Sequence, residues 1–270
     1  MTRQGPAEIR RLLDDYGLEP SKALGQNFLA DPNIVERIVR TAEITEGDNV
    51  LEVGPGTGTL THQLIETGAN VVAVEFDRGL ARMVSDLFGD RATVIQEDIM
   101  KVDLDELLGE RRWTLVANLP YNVGTSLVLD VLRHHRQVER LVVMVQREVA
   151  ERLCASPGSK VYGLPSVVAG LHATSSIAFF VPPQVFIPVP DVQSAVVDIK
   201  RINNVDPAAD RAVRLAESAF QQRRKMIRRS LSSASDDPSA WIAAAGLDPT
   251  SRAERLSPAD YLELARALPE

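Results

Sequence analysis

The chain has 270 residues, 44% of them hydrophobic and 25% charged, enough for a sizeable core in one large domain or two unequal ones. No stretch is apolar enough for a signal peptide or a membrane span, so a cytoplasmic protein without membrane contact is expected, with a monomer as the default. A lone cysteine, Cys154, excludes an internal disulfide framework, the four histidines show no ligand spacing, and the net charge of -7 argues against a surface that coats nucleic acid throughout.

Ile9, Leu12, Leu13 and Tyr16 repeat at helical spacing and predict a short amphipathic helix that stops near Gly17. A polar loop follows, in which Lys22, Gln26 and Asn27 could line a pocket or simply connect. Asp31-Pro32 supplies an N-cap and a first-turn proline for a helix whose apolar face is Ile34, Val35, Ile38, Val39 and Ala42.

From Asn49 the pattern becomes strand and helix in alternation. Short runs rich in Val, Ile and Leu at 50–53, 71–74, 92–95, 114–117 and 141–145 predict a mostly parallel sheet covered on both faces, an α/β Rossmann-like architecture. Two more strands are expected at 177–181 and 195–199, separated by a loop with four prolines in residues 182–190 that is stiff enough to present Phe186 in a fixed place. Past Asn203-Asn204 only helical patterns remain. The expected division is therefore a sheet-bearing, ligand-binding domain over 1–203, with the N-terminal helix and loop over 1–31, and a small all-helical domain over 204–270.

Leu51 to Gly58 reads Leu-Glu-Val-Gly-Pro-Gly-Thr-Gly at the end of the first strand of the sheet, where Gly54 and Gly56 allow close backbone approach to a ligand. A dinucleotide fingerprint would need a third glycine where Thr59 stands, and Glu52 with Pro55 suits a cationic nucleoside better than a pyrophosphate. Glu75 ends the second strand, where a carboxylate can hold ribose hydroxyls, and Asp98 follows the third, where one can accept from an adenine amino group. Together these residues describe a bound adenosine, and S-adenosylmethionine, leaving as S-adenosylhomocysteine, is the expected cofactor, with no metal.

Asn118-Leu119-Pro120-Tyr121 closes the fourth strand. The Asn118 side-chain oxygen and a main-chain carbonyl of the motif can accept two hydrogen bonds from one exocyclic NH2 while Tyr121 stacks on the ring. The competing reading is an ordinary strand running into a proline turn.

With those residues in view the chain resembles the rRNA adenine N6-dimethyltransferases, in particular the KsgA/RsmA branch. The likeness is carried by residues 22–29, 51–58, 118–121 and 146–153, and by the spaced Pro183, Phe186, Pro188, Pro190, Val192 and Ser194. It implies that Asn27, Leu29, Gly54, Glu75, Asp98 and Asn118 touch the cofactor and that Asn118 to Tyr121 with Phe186 hold the target base. It also implies dimethylation of two adjacent adenosines near the 3' end of small-subunit rRNA during ribosome biogenesis. A macrolide-resistance type of large-subunit rRNA methyltransferase and an assembly factor acting mainly by binding are the alternatives. Between Lys200 and Ser230 nine Lys or Arg stand against three Asp or Glu. Arg223, Arg224, Lys225, Arg228 and Arg229, expected on one helix with Ala219, Met226 and Ile227 facing the core, are thus the candidates for rRNA phosphate contact, with Arg147 a further one.

Overall fold

Three successive residues of one strand, Leu115, Val116 and Ala117, are all fully buried, as happens only when helices cover both faces of a sheet. The computed structural model describes residues 4–21 and 24–268, so Lys22 and Ala23 lie outside it. Its strands are β1 (Phe28–Leu29), β2 (Asn49–Val53), β3 (Asn70–Glu75), β4 (Ala92–Gln96), β5 (Trp113–Asn118), β6 (Val138–Gln146), β7 (Ala173–Val181), β8 (Phe186–Ile187) and β9 (Ser194–Arg201). Seven of them form one sheet in the order β4-β3-β2-β5-β6-β9-β7. The pairs from β4 through β6 are parallel, and β9 runs antiparallel to β6. The chain leaves β2 toward β3 on one side and later returns to place β5 on the other, and this reversal opens a crevice at the carboxyl ends of the strands.

Local signals fix the helices. Gly17 ends the helix Pro6–Tyr16 in the left-handed region (φ 63°), and the Asp31 carboxylate accepts from the N-H groups of Asn33 and Ile34 to start Pro32–Ala42. Ile9, Leu12 and Leu13 pack with Phe28, Leu80 and Met83, which seats the first helix beside the helix Arg78–Phe88. Arg140 on β6 forms a two-pronged ion pair with Asp198 on β9 (2.9 and 3.0 Å) and also donates to the Thr41 and Ala42 carbonyls, tying the sheet to the end of the second helix. No periodicity announces that tie.

By compactness the chain divides into two units, Met1–Ala150 with Ser176–Lys200, and Glu151–Ser175 with Arg201–Glu270. A single boundary at 203/204 is therefore too simple. The excursion over 151–175 bonds within the second unit: the Tyr162 hydroxyl donates to the Leu256 carbonyl at 2.8 Å, and the Gly158 N-H donates to that of Glu254 at 2.7 Å. The excursion also contains the helix Leu164–His172, which the sequence pattern did not single out. No helix among the described residues is long and apolar enough to cross a membrane.

The basic run departs from expectation as well. The helix Ala209–Gln221 stops before Arg223, and Arg228 and Arg229 fall in a separate short helix, Ile227–Ser230. The cause is backbone pairing: the Ile227 N-H donates to the Ser251 carbonyl at 2.7 Å and the Arg228 N-H to that of Pro249 at 3.2 Å. Met226, expected in the core, is 36% exposed.

Candidate active site

The parallel registers bring the ends of β4, β3, β2 and β5 side by side. Asp98, Glu75, Gly54 and Asn118, separate in sequence, thereby line one cleft of about 230 Å³. Asn27, Leu29, Gly56, Leu119, Pro120 and Tyr121 line it too, so ten of the residues singled out in the sequence share a single cavity.

The glycine loop is shaped by close approach. Gly56 has φ 58°, and a Cβ there would stand 2.9 Å from the Phe28 ring. Its N-H donates to Glu75 Oε2 at 3.1 Å, while Glu75 Oε1 accepts from the Asp77 N-H at 2.9 Å. Those two donors oppose burial, which raises the Glu75 pKa. Glu52, 1% exposed on β2, is more severely desolvated. Burial pushes its carboxyl up to about 8, nearby Thr61 opposes the shift, and Glu75 reinforces it. Glu52 Oε2 is buried without a hydrogen-bond partner although the residue borders the cleft. An uncompensated acid at the wall of a cavity suits a cationic ligand. Asp98 is held by its own turn, with Oδ1 accepting from the Met100 N-H at 3.1 Å.

At the other end of the cleft the Asn118 amide is oriented by a long-range bond, its Nδ2 donating to the Asn27 carbonyl at 3.0 Å. With the nitrogen so used, Oδ1 is left as the acceptor. The Pro120 carbonyl already accepts from the N-H groups of Val123 and Gly124, both at 3.2 Å, which leaves the Leu119 carbonyl as the candidate for the second acceptor. The Tyr121 ring borders the cleft, and its hydroxyl lies 3.0 Å from Ser194 Oγ.

Phe186 is elsewhere. It was expected across the base from Tyr121, but it is 1% exposed and packs in the core with Leu29, Val35 and Phe179. Pairing of β8 with β1, Phe186 opposite Leu29, pulls it inward. Gln26, a candidate lining residue, does border the cleft and accepts from the Ser21 N-H at 2.7 Å.

Sequence reasoning missed Phe76 and Ile99, which directly follow the two strand-end acids and line the same cleft. The signal was available, since each acid is followed by a large apolar residue. It also missed Gln4. This 3% exposed amide donates to the Thr57 carbonyl at 3.0 Å and accepts from the Thr59 hydroxyl at 2.8 Å, fastening the glycine loop from the N-terminal side. Nothing in the local sequence marks it.

Arg147 and the basic run do not line this cleft. In the second unit Arg223 is committed internally, donating to Glu254 at 2.8 Å and to the Lys160 carbonyl at 3.0 Å. Arg224, Lys225 and Arg229 are exposed, and Arg228 is half-buried with Nη2 3.6 Å from Met226 Sδ. Burial pushes the Cys154 thiol up to about 11, which leaves it a packed thiol and not a nucleophile.

A family profile described as Ribosomal RNA adenine dimethylase matches residues 18–270. The chain belongs to that family. Among its relatives, the Ribosomal RNA small subunit methyltransferase A of Leifsonia xyli subsp. xyli is 46% identical over 97% of both chains. That of Acidothermus cellulolyticus is 43% identical over 98% of this chain and 94% of its own. Among solved structures, a dimethyladenosine transferase from Plasmodium falciparum superposes with a TM-score of 0.73 at 23% identity, covering 88% of this chain and 95% of that one. The 23S rRNA methyltransferase ErmE gives 0.71 at 24%, covering 90% and 99%, so the Rossmann-like fold is shared with both. The chain is thus a methyltransferase of the α/β class expected from its sequence.

One electrostatic consequence is measurable without substrate. Because the folded pKa of Glu52 is raised from 4.5 to about 8, the native state holds a proton that the unfolded chain has released, and stability falls as pH rises through that window. Glu52→Gln removes the titration. The variant's gain in unfolding free energy over the parent should therefore grow between about pH 5 and 8 and level off above, as followed by denaturant unfolding at a series of pH values. A pH-independent difference would show that Glu52 is ionised in the folded protein.

Proposed function

We propose that the cleft holds S-adenosylmethionine along Asp98, Glu75, Gly54 and Gly56, and a target adenine at Asn118 to Tyr121. The product is N6,N6-dimethyladenosine at two adjacent positions near the 3' end of small-subunit rRNA. The carrying observation is the Asn118 amide, whose nitrogen is spent on the Asn27 carbonyl so that its oxygen must face any amino group presented to it. The small-subunit target is favoured over a large-subunit one because the relatives named as small-subunit enzymes cover nearly the whole chain at 43 and 46% identity. A cytoplasmic site of action, where that substrate is assembled, follows from the same reading.

The cofactor fits the residues present: the unpartnered Glu52 oxygen suits its cationic part, Glu75 the ribose hydroxyls, and Asp98 the adenine amine. When bound, it supplies a methyl group activated by sulfonium. The chain's own task is to make a poor nucleophile competent. An adenine amino group shares its lone pair with the ring, and two acceptors, Asn118 Oδ1 and the Leu119 carbonyl, would draw its hydrogens out of the plane and favour the amine as it gains positive charge. Tyr121 would hold the ring in place, its own orientation fixed through Ser194. Positioning then supplies most of the acceleration, roughly 7 to 11 kcal/mol at its upper limit, and no general base is required. The target base must leave its stack, and the aromatic face offsets part of that cost.

Primer extension on both rRNAs, after incubation of ribosomal subunits with the enzyme and the methyl donor, tests this reading. Stops at two neighbouring adenosines of the small-subunit rRNA are expected, and stops confined to the large-subunit rRNA would contradict it. In the same assay Tyr121→Ala should lose about 5- to 150-fold in methyl transfer, the equivalent of one stacked base, with little loss of S-adenosylhomocysteine affinity by calorimetry. Equal loss of both would place Tyr121 in the cofactor site alone.

Exposed Arg224, Lys225 and Arg229 are proposed to meet rRNA phosphates, with Arg228 beside them and Arg223 shaping the turn through Glu254. Each phosphate neutralised adds close to one unit to the salt slope of binding. Replacing Arg224 and Lys225 together by alanine should lower that slope by about two in filter binding at increasing salt. An unchanged slope would remove the turn from the RNA-binding surface.

A further inference from the structure

Beyond the cleft, the exposed ring of Phe180 has no role in the chemistry just described. Strand β7 is the outermost of the sheet, and its alternation turns Phe179 inward while leaving Phe180 45% exposed. Phe179 is accounted for: it is core, with the Arg37 guanidinium carbon 3.8 Å from its ring centre. Phe180 instead lies beside Arg147, whose guanidinium carbon is 5.0 Å from its ring centre. Arg147 is held there by Gln193, donating through Nη1 to its side-chain oxygen at 3.1 Å and through the backbone N-H to its carbonyl at 2.9 Å. Val192, next to Gln193 in the chain, is also exposed at 43%.

This pair is continuous with the site proposed for the base. Gln146, next to Arg147, pairs with Ser194 across β6 and β9, and Ser194 Oγ is 3.0 Å from the Tyr121 hydroxyl. An exposed aromatic ring beside a planar, anchored cation is the surface by which proteins hold single-stranded RNA, the ring and the guanidinium plane stacking on bases while the charge meets phosphate.

We propose that Phe180 and Arg147 form a stacking platform for a nucleotide that flanks the target adenosine in the RNA strand. The inference rests on the function proposed above and adds to it a second base contact outside the reaction pocket. One ring and one cation are too little surface for a protein partner, which would need about 1,000 Å² or more. They match a single nucleotide.

The test uses the full-length enzyme and rRNA substrates carrying one abasic nucleotide at each position near the target adenosines. Phe180→Ala should raise KM for unmodified RNA about 5- to 150-fold, with S-adenosylhomocysteine affinity retained, and Phe180→Trp should keep KM near the parent value. One abasic position should raise the parent's KM by a similar factor and leave that of Phe180→Ala almost unmoved. A parental KM for Phe180→Ala, or abasic penalties of equal size in both proteins at every position, would overturn the platform while leaving the function intact. Failure of the parent enzyme to methylate either unmodified rRNA or small subunits assembled on it would instead overturn the function, and the platform with it.

Discussion

The hydrogen bond from the Asn118 side chain to the Asn27 carbonyl joins residues 91 positions apart and decides which end of an amide faces the cleft. Flipped, the same side chain would present a donor where an amino group needs an acceptor. The rest of the unit places the two partners. Parallel pairing puts the end of β5 beside β2, and the short β1-β8 pair anchors the segment that follows Asn27. Gly54 makes the turn after β2 with φ 69°, a left-handed conformation that glycine adopts without strain, and packs beside Pro120.

A second constraint is electrostatic. Glu52 and Glu75 are carboxyl groups buried on adjacent parallel strands, where neither is well solvated. Glu75 is partly compensated by backbone donors, whereas Glu52 keeps one oxygen without a partner. Such an arrangement costs folding free energy in the absence of ligand. It also biases the cleft toward ligands that carry positive charge at one end and a hydroxyl-rich sugar further along.

Much of this was legible in the sequence because it is local. Strand positions, the Gly17 stop, the Asp31 cap and the acids at strand ends follow from periodicity and turn chemistry, and strand-end residues in a parallel sheet converge whatever their separation in sequence. The failures are non-local. Phe186 looked like a side chain presented by a stiff loop, and only pairing with Leu29, far away in the chain, turns it into the core. The basic run looked helical until the carbonyls of Pro249 and Ser251 claimed its backbone. The excursion over 151–175 was assigned to the sheet domain by chain order, whereas its hydrogen bonds run to residues beyond 220. Gln4 illustrates the limit most sharply, being an unremarkable polar residue near the N-terminus that holds the glycine loop through Thr57 and Thr59.

The central claim, that the Asn118 oxygen receives the target amino group, is tested most directly by a double-mutant cycle between that side chain and that group. Affinity is measured for an rRNA substrate carrying adenosine at the target position and for one carrying purine riboside, which lacks the amine, with the parent enzyme and with Asn118→Ala. The account predicts that the parent prefers adenosine and that the preference shrinks in the variant to what the Leu119 carbonyl alone supplies. A preference of the same size in both proteins would contradict it.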